Sequence, residues 1–237
     1  MSRLLTLLVL VAVCAAVTST AAGARTEQGT RVESVFPAAG QFLVEKVPVR
    51  ATPSPHGRVI KTLTQFRDDY RIQEIFAVKV AIGTDRRAWY KISVPMRPNG
   101  VMGWIPARTA SLSPTVAEID VHRASRTIDI YSHGAHVWHA IIAIGAPGME
   151  TPLGHYYVAV RFVPYDDPFL GVFGVETSGY SKLSEWPGGG WFGIHGTDMP
   201  QLLGQAVSHG CIRVSNLTAT KLRQYVPLGT PIVITDT

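Results

Sequence analysis

The chain has 237 residues, 46% hydrophobic and 16% charged, with a formal net charge of +5. That length bounds one or two domains, and the balance fills a packed core, which excludes an extensively disordered chain. A basic protein tends to stay near anionic polymers. No clustered Lys/Arg helix or aromatic ladder points to nucleic acid.

The N-terminus reads as an export signal. Arg3 supplies a positive start, residues 4–17 are apolar except for Thr6, and Ala22-Gly23-Ala24 is a small-residue cleavage site. Residues 1–24 are therefore expected to be a cleaved signal peptide, with the protein in the periplasm or cell wall. A retained anchor is the alternative, but the apolar core is shorter than the ~20 residues of a membrane span. No stable span is expected after cleavage. A lipoprotein signal would use Cys14, and Val13 is too bulky for the position before it. Loss of Arg3 takes the charge from +5 to +4. Export also argues against nucleic acid and leaves wall polymers as the anionic partner.

Cleavage changes the cysteine count. Cys14 leaves with the signal and Cys211 is alone. Exported proteins usually pair their cysteines. A lone thiol there is reactive, an intermolecular link, or inert and buried.

Residues 25–39 are polar with Gly and Ala and read as a flexible lead. Residues 40–112 then read as a small β domain. Strands are expected at 47–50, 59–63, 70–80, 89–92 and 103–105, with turns at Pro53-Ser54-Pro55-His56-Gly57 and Pro98-Asn99-Gly100. Ser113-Pro114-Thr115 reads as a joint. Residues 116–236 form a second β-rich unit. Its opening hairpin, 128–131 and 137–144, turns at Ser132-His133-Gly134-Ala135. A Gly/Pro loop at 145–154 leads to a strand at 156–162. Residues 163–190 read as loop-rich, and 191–194 as a short apolar strand delivering His195. Ser215 or Asn216 caps a helix to about Tyr225, with Ala219, Leu222 and Val226 on one face. Pro227-Leu228-Gly229 ends it, and 232–234 closes the unit as a strand. The fold class is mainly β, a small barrel followed by a sandwich-like β domain with one or two short helices.

The chemistry concentrates at two places. His195 stands in Ile194-His195-Gly196-Thr197, and Cys211 in Ser208-His209-Gly210-Cys211-Ile212-Arg213. A thiol attacks as thiolate, which a nearby imidazolium favours. His209 would share a face with Cys211 if the segment were extended. His195 must reach it through the fold. Gly210 allows close backbone approach, and the N–H groups of Gly210 and Cys211 suit an oxyanion.

These motifs resemble the signature of the L,D-transpeptidase catalytic domain, also called YkuD. The likeness extends to the opening hairpin, to the segment from Gly145-Ala146-Pro147 to Thr151-Pro152-Leu153-Gly154, and to Leu228-Gly229-Thr230-Pro231-Ile232-Val233-Ile234. It covers about residues 116–236. The resemblance implies Cys211 as nucleophile and His195 as proton donor and acceptor. It implies that the Gly196 carbonyl orients the ring and that His209 and Ser208 support the pocket. Arg213, with Ser208 and Thr197, would hold the substrate, its fork suiting a carboxylate. Peptidoglycan stem peptides are the implied substrate and an amine acceptor the implied recipient, with no cofactor and no metal. Shielding the thioester from water requires cover, and the loop around 164–190 reads as a lid. The 40–112 unit, through Val49-Arg50-Ala51-Thr52-Pro53-Ser54, Trp89-Tyr90-Lys91-Ile92 and Gly103-Trp104-Ile105, resembles a bacterial SH3 domain, a wall-binding module or a spacer.

Rival readings stay open. A wall carboxypeptidase or endopeptidase uses the same residues, and a wall-binding protein would leave them idle. His195, His209 and Cys211 are zinc-capable, but no fourth ligand is evident. His133, His136 and His139 read as surface histidines, because 136 and 139 point to opposite faces of a regular hairpin. Gly188-Gly189-Gly190 lacks the Lys-Ser/Thr of a phosphate loop. Arg213 has a structural salt bridge as its plainer reading.

Overall fold

A computed structural model of the chain describes residues 35–184 and 189–237. The expected signal at 1–24, and residues 25–34 of the lead, lie outside the described residues. No helix among the described residues is long and apolar enough to cross a membrane.

The first seven strands are β1 (Ala38–Phe42), β2 (Lys46–Arg50), β3 (Val59–Thr64), β4 (Glu74–Ile82), β5 (Ala88–Ser93), β6 (Met102–Pro106) and β7 (Ala110–Pro114). They form one antiparallel sheet in the order β3-β2-β6-β5-β4-β1-β7. Its core gathers Phe42, Val47, Val49, Ile75, Ile92 and Ile105. The polar lead was expected to run to residue 39, yet β1 begins at Ala38 and lies inside the sheet. Ala38 and Phe42 are buried, and the short Ala-Ala-Gly stretch suits a strand pressed between β4 and β7, where bulk would not fit. The strand expected from residue 70 begins at Glu74, because Tyr70 turns the chain with φ of 63°.

The second sheet comprises β8 (Ala117–His122), β9 (Thr127–Ser132), β10 (Ala135–Ile141), β12 (Gly154–Phe162), β13 (Gly174–Tyr180), β14 (Trp191–His195), β16 (Ile212–Arg213) and β17 (Pro231–Thr235). Its order is β10-β9-β8-β17-β12-β13-β14-β16. The short β11 (Ile144–Gly145) and β15 (Ala206–Ser208) pair separately. One helix, α1 (Asn216–Tyr225), covers the sheet through Ala219 and Leu222. The Ser215 hydroxyl caps it, accepting from the Thr218 amide at 3.1 Å.

Alternation fixes the register of β8 and β9. Ile119, Val121, Ile128 and Ile130 are fully buried, and the residues between them face outward. A slip of one residue would expose all four, at about 1.5–3 kcal/mol each. His133 and Gly134 both take positive φ, 50° and 77°, which makes the tight β9–β10 turn. Strand β10 is irregular, with a bulge between His136 and Trp138.

The segment from 163 to 190, expected to be loop-rich, also contains β13, paired on both sides within the sheet. Its Gly and Ser/Thr content signals a loop, but the space is crowded. A Cβ on Gly174 would lie 2.4 Å from the Phe162 ring and 2.9 Å from His195 Cβ. Small residues are required there by bulky neighbours.

Candidate active site

Strands β14 and β16 build the site. They pair in parallel, with Ile194 beside Ile212 and His195 beside Arg213. The isoleucines face the core, so the period of two sends His195 and Arg213 to the other side. Cys211, immediately before β16, joins them in one pocket with Ser208 and His209. Phe169, Leu170, Ser181 and Trp191 complete its wall, and the cavity measures about 60 Å³. Ligand pockets are typically ~300 Å³ or larger, so this is a narrow slot at the thiol.

His195 is buried and its Nδ1 lies 2.7 Å from the Gly196 carbonyl, which makes Nδ1 the N–H donor and leaves Nε2 as the basic nitrogen. Burial pushes its pKa down, and the Arg213 cation adds to this. The residue Cys211 stays partly accessible, but its sulfur is densely surrounded. Burial pushes the thiol pKa up, against a backbone hydrogen bond at Gly193 and the Arg213 charge, which pull it down.

Arg213 is 7% exposed. Its guanidinium lies 4.5 Å from the Phe169 ring centroid, and buried Nε has no hydrogen-bond partner. It makes no ion pair among the described residues. A structural salt bridge therefore does not account for it. A buried guanidinium with open donors suits an incoming carboxylate.

The segment between the pocket histidines and the thiol is not extended. Gly210 has φ of 116°, and a Cβ there would meet Ser181 Cβ at 2.9 Å. The bend departs from the extended alternation, yet His209, itself exposed, lines the same pocket as Cys211. The Gly210 amide donates to Ser208 Oγ at 3.2 Å, so in this state it is engaged rather than directed at an oxyanion. Ser208 Oγ in turn donates to the Cys211 carbonyl at 2.5 Å. Ser208 thus ties the turn that presents the thiol. Thr197 is also internal, its Oγ1 accepting from the Met199 amide at 3.0 Å. In this state it closes a local turn, and Thr197 is not among the residues that line the Cys211 pocket.

A model of the L,D-transpeptidase catalytic domain, YkuD, matches residues 116–234. The chain belongs to this family. A Bacillus licheniformis protein assigned as the L,D-transpeptidase YkuD is 34% identical over 117 residues, which cover 49% of this chain and 64% of that protein. Its Bacillus subtilis counterpart is 37% identical over 93 residues, covering 39% and 50%. The chain thus spans about half to two-thirds of the length of these curated relatives. A crystal structure of the Enterococcus faecium L,D-transpeptidase, a cysteine-to-serine mutant, aligns with a TM-score of 0.41 at 23% identity, covering 51% of this chain and 50% of that one.

Residues outside the signature shape this L,D-transpeptidase domain. Thr151 is fully buried, and its Oγ1 donates to the Gly210 carbonyl and accepts from the Gly145 amide, both at 3.0 Å. It locks the Gly/Pro loop to the thiol's turn. Thr151 stands in the motif that carries the resemblance, but a threonine in a Gly/Pro run signals only a turn. Phe169 faces His195, ring centroids 6.1 Å apart, and Asn216 Oδ1 accepts from the Val172 amide at 3.2 Å to hold that loop. Neither contact has a local sequence signal.

Proposed function

We propose that this domain is a peptidoglycan L,D-transpeptidase in which Cys211 is the nucleophile and His195 the proton carrier. The observation that carries the reading is their convergence with Arg213 in one slot, produced by the parallel pairing of β14 with β16.

The thiol gives its proton to His195 Nε2 as sulfur attacks the carbonyl of the L-centred residue before a terminal D-alanine. The C–N bond breaks, D-alanine leaves with the proton from His195, and a thioester remains. An amine from an acceptor stem then attacks, giving its proton to His195, and the C–S bond breaks. Nδ1 holds the Gly196 carbonyl throughout, which keeps Nε2 facing the reaction. Arg213 takes the donor's terminal carboxylate by its fork. The Cys211 amide, and the Gly210 amide once released by Ser208 Oγ, would receive the oxyanion. The slot is small, so the Phe169 loop must move to admit a stem peptide and then exclude water from the thioester.

The first β unit is read as an SH3-like module able to hold wall peptides, and the protein as exported. The unpaired guanidinium of Arg213 supports the carboxylate-bearing donor.

Purified protein incubated with tetrapeptide muropeptides should give cross-linked dimers by mass spectrometry, with a thioester adduct on Cys211. Cys211→Ala should abolish both. Persisting dimers in that variant would sink the proposal, and trimmed monomers alone would instead make the domain a carboxypeptidase.

A further inference from the structure

The outer face of the β9–β10 hairpin carries a cluster that acyl transfer does not use. On β8 and β9 alternation places Glu118, Asp120, His122, Asp129 and Tyr131 outward. On β10 the bulge inserts Val137 between His136 and Trp138, so that His136 pairs with Tyr131 and His139 with Asp129. The extra residue puts both histidines on the outer face, where a regular strand would have split them.

Three strands therefore converge on one carboxylate. His136 Nε2 and His139 Nδ1 lie 2.6 and 2.9 Å from Asp129 Oδ1, and His122 Nε2 lies 3.4 Å from Oδ2. The ligand atoms of Asp129, His136 and His139 all fall within 4.8 Å of one another. A second observation points to a cation. Asp120 stands directly opposite Asp129 across β8 and β9, with Glu118 two residues along the same face. Like charges so placed repel. Among the described residues no Lys or Arg forms an ion pair with any of these three carboxylates.

We propose that Asp129, His136 and His139, with His122 as fourth ligand, bind a divalent transition ion of the zinc class. Imidazole and carboxylate donors suit Zn, Cu and Ni. Bonds of about 2.0–2.2 Å in a tetrahedron set donor atoms on the order of 3.3 Å apart. For Asp129, His136 and His139 the present spread brackets that value, and the His122 ring, its Nε2 3.4 Å from Asp129 Oδ2, turns in to complete the set. On binding, His136 Nε2 and His139 Nδ1 would each present a lone pair to the ion while the ring proton sits on the other nitrogen. The hairpin's inner face is held by α1, where Trp138 Nε1 donates to Thr218 Oγ1 at 3.2 Å. The ligand-bearing strands are thus positioned before metal arrives, and no ligand belongs to the Cys211 pocket.

The test uses the full chain carrying Cys211→Ser, which removes the thiol as a competing ligand. Calorimetric titration with zinc chloride should show one equivalent bound in the micromolar range, and cobalt(II) should develop the visible absorption of a tetrahedral nitrogen/oxygen site. Asp129→Asn, and separately His136→Gln with His139→Gln, should weaken binding at least about tenfold. Both histidines are exposed and glutamine keeps an N–H donor for Asp129, so the metal-free melting temperature of their double variant should stay close to the parent's. His209→Gln should bind zinc as tightly as the parent. No saturable binding at about 0.1 mM zinc, binding indifferent to the Asp129 and hairpin substitutions, or binding lost with His209 would each overturn the site.

Discussion

At Cys211 the surroundings oppose the charge that attack requires. Burial pushes the thiol up and His195 down, so the resting pair is neutral thiol and neutral imidazole. A raised thiol pKa means a smaller thiolate fraction at neutral pH than in an ordinary cysteine. The pH midpoint of iodoacetamide alkylation of the protein alone should therefore sit above the usual thiol range, and a midpoint below that range would contradict it. Arg213 is the counterweight, because its cation lowers the thiol pKa. Arg213→Gln should move the alkylation midpoint further up. It should also raise KM for a donor ending in a free carboxylate by the equivalent of roughly 1.5–3 kcal/mol, while an amidated donor shows little change. Equal effects on both donors would remove Arg213 from carboxylate binding.

The turn that presents the thiol depends on a partner far away in sequence. Thr151 and Gly210 are joined by a buried hydrogen bond, and Gly145 completes the chain of contacts. Thr151→Val keeps the shape but leaves two buried backbone groups unpaired, which costs about 1–3 kcal/mol each. The variant should melt several degrees lower, and thioester formation in a single turnover should slow. Unchanged melting and acylation would show that the Gly/Pro loop holds itself. The same lesson applies to β10 and β13. Period-two reasoning placed His136 and His139 on opposite faces, and one inserted residue reversed that. Composition read the β13 region as loop-rich, because Gly174 and Gly179 are small for reasons supplied by Phe162 and Tyr156 on β12.

The two β units meet over a substantial contact, although Ser113-Pro114-Thr115 reads only as a joint. Asn99 Nδ2 donates to the Tyr180 carbonyl and its Oδ1 accepts from the Tyr180 amide, each at 2.9 Å. Arg97 reaches the Ser181 carbonyl at 2.7 Å, Arg67 and Arg71 bind Glu176, and Phe76 stacks on Tyr157. The first unit therefore supports β13 and the chain beyond it, which borders the thiol's slot. Glu74 lies in this junction, and burial pushes its carboxyl up to about 7 from 4.5. A raised pKa means that its stabilising share is full below about pH 4.5 and is lost as pH rises through about 7. Glu74→Gln should thus melt higher than the parent at about pH 8 and close to it at about pH 5. A pH-independent difference in thermal melting would locate the effect in packing rather than in charge.

The candidate site was legible along the chain because reactive residue types are few and their motif is local: a single cysteine beyond the expected signal, a strand-end histidine, and an arginine two residues past the cysteine. The mainly β class was legible for a similar reason, since alternation in β8 and β9 needs only neighbours in sequence. Three things required the folded chain. The Gly210 amide is engaged by Ser208, the Thr197 hydroxyl points into its own turn, and the hairpin histidines share a face with Asp129. Each is decided by contacts between atoms whose separation is set by a turn, a bulge or a distant strand. Local pattern carries residue type and period, but only packing carries where a donor is already satisfied.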